Sequence, residues 1–408
     1  MADKLFRTPE GNPFVPGHDA VPDVWAGRAR ELSDYTGYVR ARRVNGVFER
    51  GRAVLGQPGI GKSVLVNRIA REASELGDIV LPPVRLHRGA DPLAGVAAAL
   101  VAAAESQDLA GRVSKAAMEV LRTIASLRIG DAAVAINAPA AESAPRAITT
   151  ALTDLAGAAR ARGSVVLVRL DEVQNATADP VTLSSLLIAL GDASAATVTD
   201  RDFAGNAHDH HLPVVVYLTG LLDFVDSVEG DPMQRAGATF GRRFAKTYLD
   251  WLADDEVRDA LVPFTTSGWP TNDHRVTATA DAIDALIEAT AGDPFVFQLL
   301  GAAAWNARPD HSVINAADVA AAEATCAEEI EDHVARMLDP LPDLERAAFE
   351  VLVGLDPANR STKAVADELG KTSSQLGPTM RRLERRRLVR REGRRTHVAA
   401  RLVERHLP

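Results

Sequence analysis

The sequence has 408 residues, 46% of them hydrophobic and 25% charged, with a net charge of −9. That length accommodates two or three domains of roughly 100–200 residues, and the composition excludes a disordered or collagen-like chain. A single cysteine, Cys326, excludes a disulfide framework and a thiolate metal cluster, and the longest apolar stretch, 93–104, is too short and too Ala-rich to span a bilayer.

Residues 1–20 carry Pro and Gly without periodicity and read as an extended N-terminal arm. Their first sixteen residues hold no apolar run of signal-peptide length, which with the lone cysteine implies a cytoplasmic protein with no membrane role. From Pro22 the chain acquires pattern. Apolar runs at 47–55, 79–86, 165–170 and 214–218 predict buried strands separated by helical stretches, the signature of a parallel sheet with crossover helices. A fifth strand is expected near 243–249, so an α/β core is expected over 21–270. Within it, 91–162 reads as an insertion of Ala-rich helices with a hairpin at 124–136 turning at Gly130-Asp131.

Between Val54-Leu55 and a helical pattern starting at Val64, the segment Gly56-Gln57-Pro58-Gly59-Ile60-Gly61-Lys62-Ser63 fits G-x-x-x-x-G-K-[ST]. Glycines let backbone N–H groups turn inward around phosphate oxygens. Lys62 adds a point charge for the β- and γ-phosphates, and the helix N-terminus adds partial positive charge. The chain has six lysines against 40 arginines, so composition does not account for a lysine here. ATP and Mg²⁺ are the expected ligands, with the Ser63 hydroxyl on the metal.

A magnesium site also needs a carboxylate at the end of a neighbouring strand. The run Val165-Val166-Leu167-Val168-Arg169-Leu170 followed by Asp171-Glu172 supplies it, Asp171 for the metal and Glu172 to orient the attacking water. Arg169 is out of place in an apolar strand. Thr219, ending the fourth strand, is expected to sense the γ-phosphate. Arg242 and Arg243 are candidates to meet transition-state charge, in cis or from a neighbouring subunit, and a solvated pair is the alternative. His208-Asp209-His210-His211 reads as a polar loop without the acids a metal site needs, and Cys326 as core.

From Thr277 the pattern is helical, with Ile283, Leu286 and Ile287 on one face, Gly292 as a stop and Pro294 opening the next helix. A helical lid is expected over 271–340, ended by Asp339-Pro340-Leu341-Pro342. Residues 341–408 carry 15 Lys and Arg against 9 Asp and Glu, a charge of +6 that leaves −15 on the rest. There, Leu344, Ala348, Val351, Leu352 and Leu355 make one helical face, 361–369 a second helix and 373–388 a third. The third puts Arg381, Arg382, Arg385 and Arg386 on one side. Residues 388–398 read as a β-wing carrying Arg390, Arg391, Arg394 and Arg395. This winged helix-turn-helix order, with arginines for phosphates and guanine edges, predicts duplex DNA as a partner. Protein docking is the alternative.

With these motifs assembled, the chain resembles the AAA+/STAND-type P-loop ATPases, close to initiator-like (origin-recognition-like) bacterial and archaeal members with a C-terminal winged helix. Pro22, Trp25, Gly27, Arg28, Glu31 and Leu32 match the family's entry motif beside the adenine, and Gly56 to Ser63 its Walker A loop. Asp171-Glu172-Val173-Gln174 match Walker B, and Arg243 the arginine that the family carries after its fourth strand. Gly292-Asp293-Pro294-Phe295, with Gln298 and Trp305, resembles the lid motif, Pro294 lying near the nucleotide. Phe295 stands where initiators have a sensor arginine. The resemblance implies a 5-1-4-3-2 sheet and an ATP-hydrolysing switch coupled to DNA, or to a protein partner in a signalling ATPase. Both leave room for homo-oligomers.

Overall fold

The computed structural model describes residues 5–407 apart from 18–19, 127–137, 178, 223, 225–242, 272–273 and 394. The chain divides into two compact units. One comprises residues 28–55 and 65–248, the other 1–27, 56–64 and 249–408.

The first unit is built on a sheet of strands β1 (Gly51–Leu55), β2 (Ile79–Val80), β3 (Val84–Arg85), β4 (Val166–Asp171), β7 (Val214–Gly220) and β8 (Phe244–Tyr248). Every residue of β1 and β7 is buried, as expected of strands covered on both faces. All pairings are parallel, in the order β8-β1-β7-β4-β2, with β3 also on β4. Counting β2 and β3 as halves of one edge strand gives the expected 5-1-4-3-2 order. The difference is the break at Pro82-Pro83, where neither residue has an N–H to donate.

Around the sheet lie α1 (Lys62–Glu75), α2 (Pro92–Ser106), α3 (Lys115–Ser126), α4 (Ala138–Ala161) and α5 (Pro180–Ala195). The 91–162 insertion belongs to the core. Leu93, Val96, Ala97, Leu100 and Ala103 of α2 are buried in the same apolar cluster as Leu121 of α3, Leu152 of α4 and Val168 of β4. The small alanines let these helices pack closely. Ile124, expected to open a hairpin, is helical in α3, and 127–136 lie outside the described residues.

A hairpin does occur elsewhere, formed by β5 (Thr197–Arg201) and β6 (Ala207–His211), with Asp200 opposite His208. His208 to His211 are therefore strand and not loop. Most of this hairpin is solvent-exposed, so it carries no apolar alternation to announce it.

The second unit contains α6 (Asp254–Thr265), α7 (Ala280–Thr290), α8 (Pro294–Ala307) and α9 (Ala316–Leu338), with a small sheet of β9 (Trp269–Pro270), β10 (Arg275–Ala278) and β11 (Val313–Ile314). The lid region is thus not wholly helical, and α6 groups with it and not with the sheet. The N-terminal segment, expected as an extended arm, packs against this unit as a strap. Arg7 is fully buried against Asp318 and donates to the Ala304 carbonyl, the Trp305 indole donates to the Thr8 carbonyl, and Phe14 packs between Phe264 and Phe297.

The basic tail follows as α10 (Asp343–Gly354), α11 (Thr362–Glu368), α12 (Ser373–Arg385), the antiparallel pair β12 (Val389–Glu392) and β13 (Arg395–Val398), and α13 (Arg401–His406). Prolines 340 and 342 separate α9 from α10 as expected. Yet Leu338, Leu341, Ala348 and Leu376 share one apolar cluster, so tail and lid are one compact body. No helix among the described residues is long and apolar enough to cross a membrane.

Candidate nucleotide site

The phosphate-loop candidate starts where β1 ends, Gly56 following Leu55. Gly59 and Gly61 have φ of +76° and +86°, a left-handed backbone that suits glycine. A Cβ on Gly61 would meet nothing within 4 Å, whereas one on Gly59 would lie 2.3 Å from the His333 ring. One glycine thus lines open space and the other allows a close approach. The Lys62 ammonium rests on the loop's own carbonyls, 3.1 Å from Gly56 and 2.7 Å from Gln57. The buried Gln57 side chain donates to the Arg386 carbonyl.

Facing the same loop is the turn that opens α8. Asp293 caps the helix, its Oδ1 accepting from Phe295 and Val296 N–H at 2.8 and 3.0 Å, with Pro294 at the first helical position. Gly292, at φ +82°, places its carbonyl on the Leu252 N–H at 2.8 Å, and a Cβ there would come within 2.6 Å of the Leu252 oxygen. His333 of α9 closes the arrangement, Nε2 2.9 Å from Asp293 Oδ2.

In the first unit, the carboxyl ends of β4 and β7 bring Asp171, Glu172 and Thr219 together. The Thr219 hydroxyl donates to Asp171 Oδ1, and the Glu172 N–H lies 3.1 Å from that oxygen and 3.2 Å from Thr219 Oγ1. Glu172 itself is left-handed, φ +58°, and its carboxylate accepts from Asn175 at 3.0 Å. Asn175 also donates to the Leu86 carbonyl, tying the Glu172 turn to the edge strand. Arg85, in register with Asp171 on β3, places Nη2 3.5 Å from Oδ2.

Asp171 presents carboxylate oxygens. Such hard donors suit Mg²⁺. Arg169 is accounted for by its neighbours. It donates to Asn67 at 2.8 Å and to the Leu81 carbonyl at 3.1 Å, and burial holds its pKa below the usual guanidinium value.

Two expectations are displaced. Arg243 precedes β8 at its amino end, where Phe244 pairs with Gly51, so it stands at the opposite sheet edge from Asp171 and Thr219. It pairs with Asp192 at 2.9 Å and donates to the Ile188 carbonyl. Arg242 lies outside the described residues. Arg382 and Arg386, expected on an outer face, both reach Glu345, which is buried on α10 and requires cationic partners. Arg381, Arg385 and Arg395 are exposed, and Arg394 lies outside the described residues. Arg28, buried and left-handed at φ 64°, opens the irregular helix over 29–44.

Sequence reasoning missed Arg85, Asn175 and His333. The first two had a signal, ending the second strand and following Glu172 by three residues. His333 had none, since its partners lie 40 and 274 positions away.

Comparison with known proteins agrees with this geometry. The family described as AAA ATPase domain matches residues 24–198. No curated protein matches the sequence. Among solved structures, the Walker-type ATPase paby2304 of Pyrococcus abyssi is similar at a TM-score of 0.56 and 14% identity, over 94% of this chain and 96% of that one. The Aeropyrum pernix ORC2 protein in ADPNP-ADP complexes gives 0.48 and 14%, over 93% of each chain. The Aeropyrum pernix ORC1 protein in complex with DNA gives 0.42 and 16%, over 95% and 93%. At these identities the likenesses concern fold alone, and only the first is close enough to bear on it. The glycine-lined loop, the Asp-Glu pair and the matched segment agree: residues 24–198 are similar to the AAA ATPase domain family, and the sheet resembles that of the P-loop AAA+ ATPases.

Proposed function

We propose that this protein binds and hydrolyses ATP with Mg²⁺ and uses its nucleotide state to set how a C-terminal winged helix holds duplex DNA. In this reading the N–H groups from Gly56 to Val64 and the Lys62 ammonium grip the phosphates, and Arg28 and Pro294 flank the base. Ser63 and Asp171 hold the metal, Glu172 orients water, and Thr219 senses the γ-phosphate. Arg243, at the far sheet edge, serves the site of a neighbouring copy.

The observation that carries the coupling is the Gln57 amide on the Arg386 carbonyl. Arg386 caps α12, and the next residue, Arg387, has φ +59° and accepts from the Trp251 indole at 2.9 Å. A loop that rearranges around a triphosphate therefore pulls on the turn between the third helix and the wing. Arg381 and Arg385 on α12, with Arg390, Arg391 and Arg395 on β12 and β13, are exposed cations suited to phosphates.

Electrophoretic retardation of duplex DNA at two salt concentrations, with and without ATP, tests this. A shift that weakens with salt and changes with ATP supports it. A second reading, a tail that docks a protein partner in a STAND-like signalling ATPase, is favoured by Arg382 and Arg386 being engaged by Glu345. Absence of any salt-sensitive shift selects that reading.

A further inference from the structure

The tip of the β5–β6 hairpin carries Phe203, whose side chain is wholly exposed. The next most exposed large apolar side chain among the described residues, Val181, is at 74%. The tip is fixed by its own hydrogen bonds. Asp202 accepts from the Ala204 and Asn206 N–H groups at 2.8 and 2.9 Å and from the Asn206 amide at 2.9 Å, and His208 Nε2 lies 3.2 Å from it. The Asn206 amide foremost, then His208, hold the Asp202 carboxyl down at about 2. At the root, the His211 N–H donates to the Gly46 carbonyl at 2.8 Å, and Arg160 of α4 pairs with Asp200. The hairpin is thus an anchored arm that presents an aromatic ring to water.

The same unit carries a pocket at the amino end of its sheet. Phe48, Leu190, Val216 and Phe244 wall a space of about 100 Å³ between α5 and strands β1, β7 and β8. A closed apolar cavity of about 150 Å³ holds a benzene ring, so a space of this size with an open rim admits a phenyl ring whose stem stays outside. The rim reaches solvent at Asp192 and Ala195, both exposed. Arg243 lies across Gly191, where a Cβ would run into its guanidinium, and is held by Asp192 at 2.9 Å and the Ile188 carbonyl at 3.0 Å. Val181 and Ile188, two turns apart on one face of α5, are exposed and extend the apolar rim.

We propose that these features are the two halves of one interface, in which Phe203 of one copy seats in the pocket between Phe48 and Phe244 of a second copy. The tip cannot reach its own pocket. The hairpin root stands beside that pocket, the His211 ring 5.2 Å from the Phe48 ring, and five extended residues carry Phe203 roughly 17 Å away from it. Charges match as well as shapes. The tip brings Arg201 and Asp202, and the rim offers Asp192 and Arg243, so each cation meets an anion across the contact. A DNA phosphate suits this arm less, because residues 197–211 hold three aspartates against one arginine. The contact places Arg243 at a boundary between copies, as its use in trans also requires, but needs no nucleotide.

Sedimentation velocity of the full chain without nucleotide, over a concentration series, tests it. Wild type should self-associate. Phe203→Ala, which removes an exposed ring and touches no core, should raise the dissociation constant by about tenfold or more, as loss of a central aromatic anchor does. Ala195→Trp, on the exposed rim, fills the pocket and should do the same, with thermal melting confirming that both variants fold. Mixing the two variants pairs an intact Phe203 with an intact pocket, so the mixture should associate more tightly than either variant alone. A wild-type chain that stays monomeric to about 100 μM would overturn the inference, as would association unchanged in Phe203→Ala or no recovery in the mixture. Loss of duplex retention in Phe203→Ala with self-association intact would assign the tip to DNA and overturn it too.

Discussion

Arg85 and Asp171 stand directly opposite one another on β3 and β4, the guanidinium Nη2 3.5 Å from the carboxylate Oδ2, while Thr219 holds the other oxygen. In the proposed site a magnesium ion needs that same carboxylate. The ion must compete with Arg85 for it.

Replacing Arg85 with alanine should therefore lower the Mg²⁺ concentration required for half-maximal nucleotide binding. Arg85 is partly exposed, so the pair is worth at most about 1 kcal/mol and the change should not exceed about fivefold. Nucleotide binding followed across a magnesium titration checks this. An increased requirement would mean that Arg85 assists the metal.

Glu172 occupies a left-handed turn and is oriented by Asn175. Glu172→Gln should retain ATP binding while turnover falls by about 10²-fold or more, the usual contribution of a positioned general base. Asn175→Ala should lower turnover less, since the carboxylate remains but loses its orientation. Phosphate release in single-turnover conditions measures both, and full hydrolysis by the glutamine variant would remove Glu172 from the chemistry.

Gln57→Ala removes the amide that reaches Arg386 without touching the glycines or Lys62. ATP should still bind, whereas the effect of ATP on DNA retention should vanish. Mobility shifts with and without nucleotide decide it, and an undiminished ATP effect would place the coupling elsewhere.

The arginines of α12 should separate into two classes. Arg381→Ala and Arg385→Ala should each reduce the salt slope of DNA binding by about one and leave thermal stability nearly unchanged. Glu345→Ala should destabilise the chain by about 2 kcal/mol, less than a wholly buried pair because Arg382 is half-exposed. Denaturant unfolding and salt-dependent binding read the two effects independently.

What could be read in advance follows from which signals are local. The loop from Gly56 to Ser63 and the pair Asp171-Glu172 are contiguous in sequence, and their strands are apolar runs, so motifs and strands were legible together, whereas the sheet order came only from the family resemblance. The β5–β6 hairpin was not, because its strands are mostly polar and solvent-exposed and carry no run of alternating apolar residues. Arg382 and Arg386 looked like surface cations because helical periodicity assigns a face without showing what packs there. Glu345, 37 and 41 positions away, turned them inward. Arg7 was read only as part of an extended arm for the same reason, its partner Asp318 lying 311 positions along the chain.

The central claim is that the loop from Gly56 to Ser63 holds the triphosphate of ATP. Calorimetric titration of the purified chain with ATP and Mg²⁺, set beside Lys62→Ala, tests it most directly. The account predicts saturable binding of one nucleotide per chain that the alanine variant abolishes or severely weakens; no heat from the wild-type chain, or unchanged binding by the variant, would contradict it.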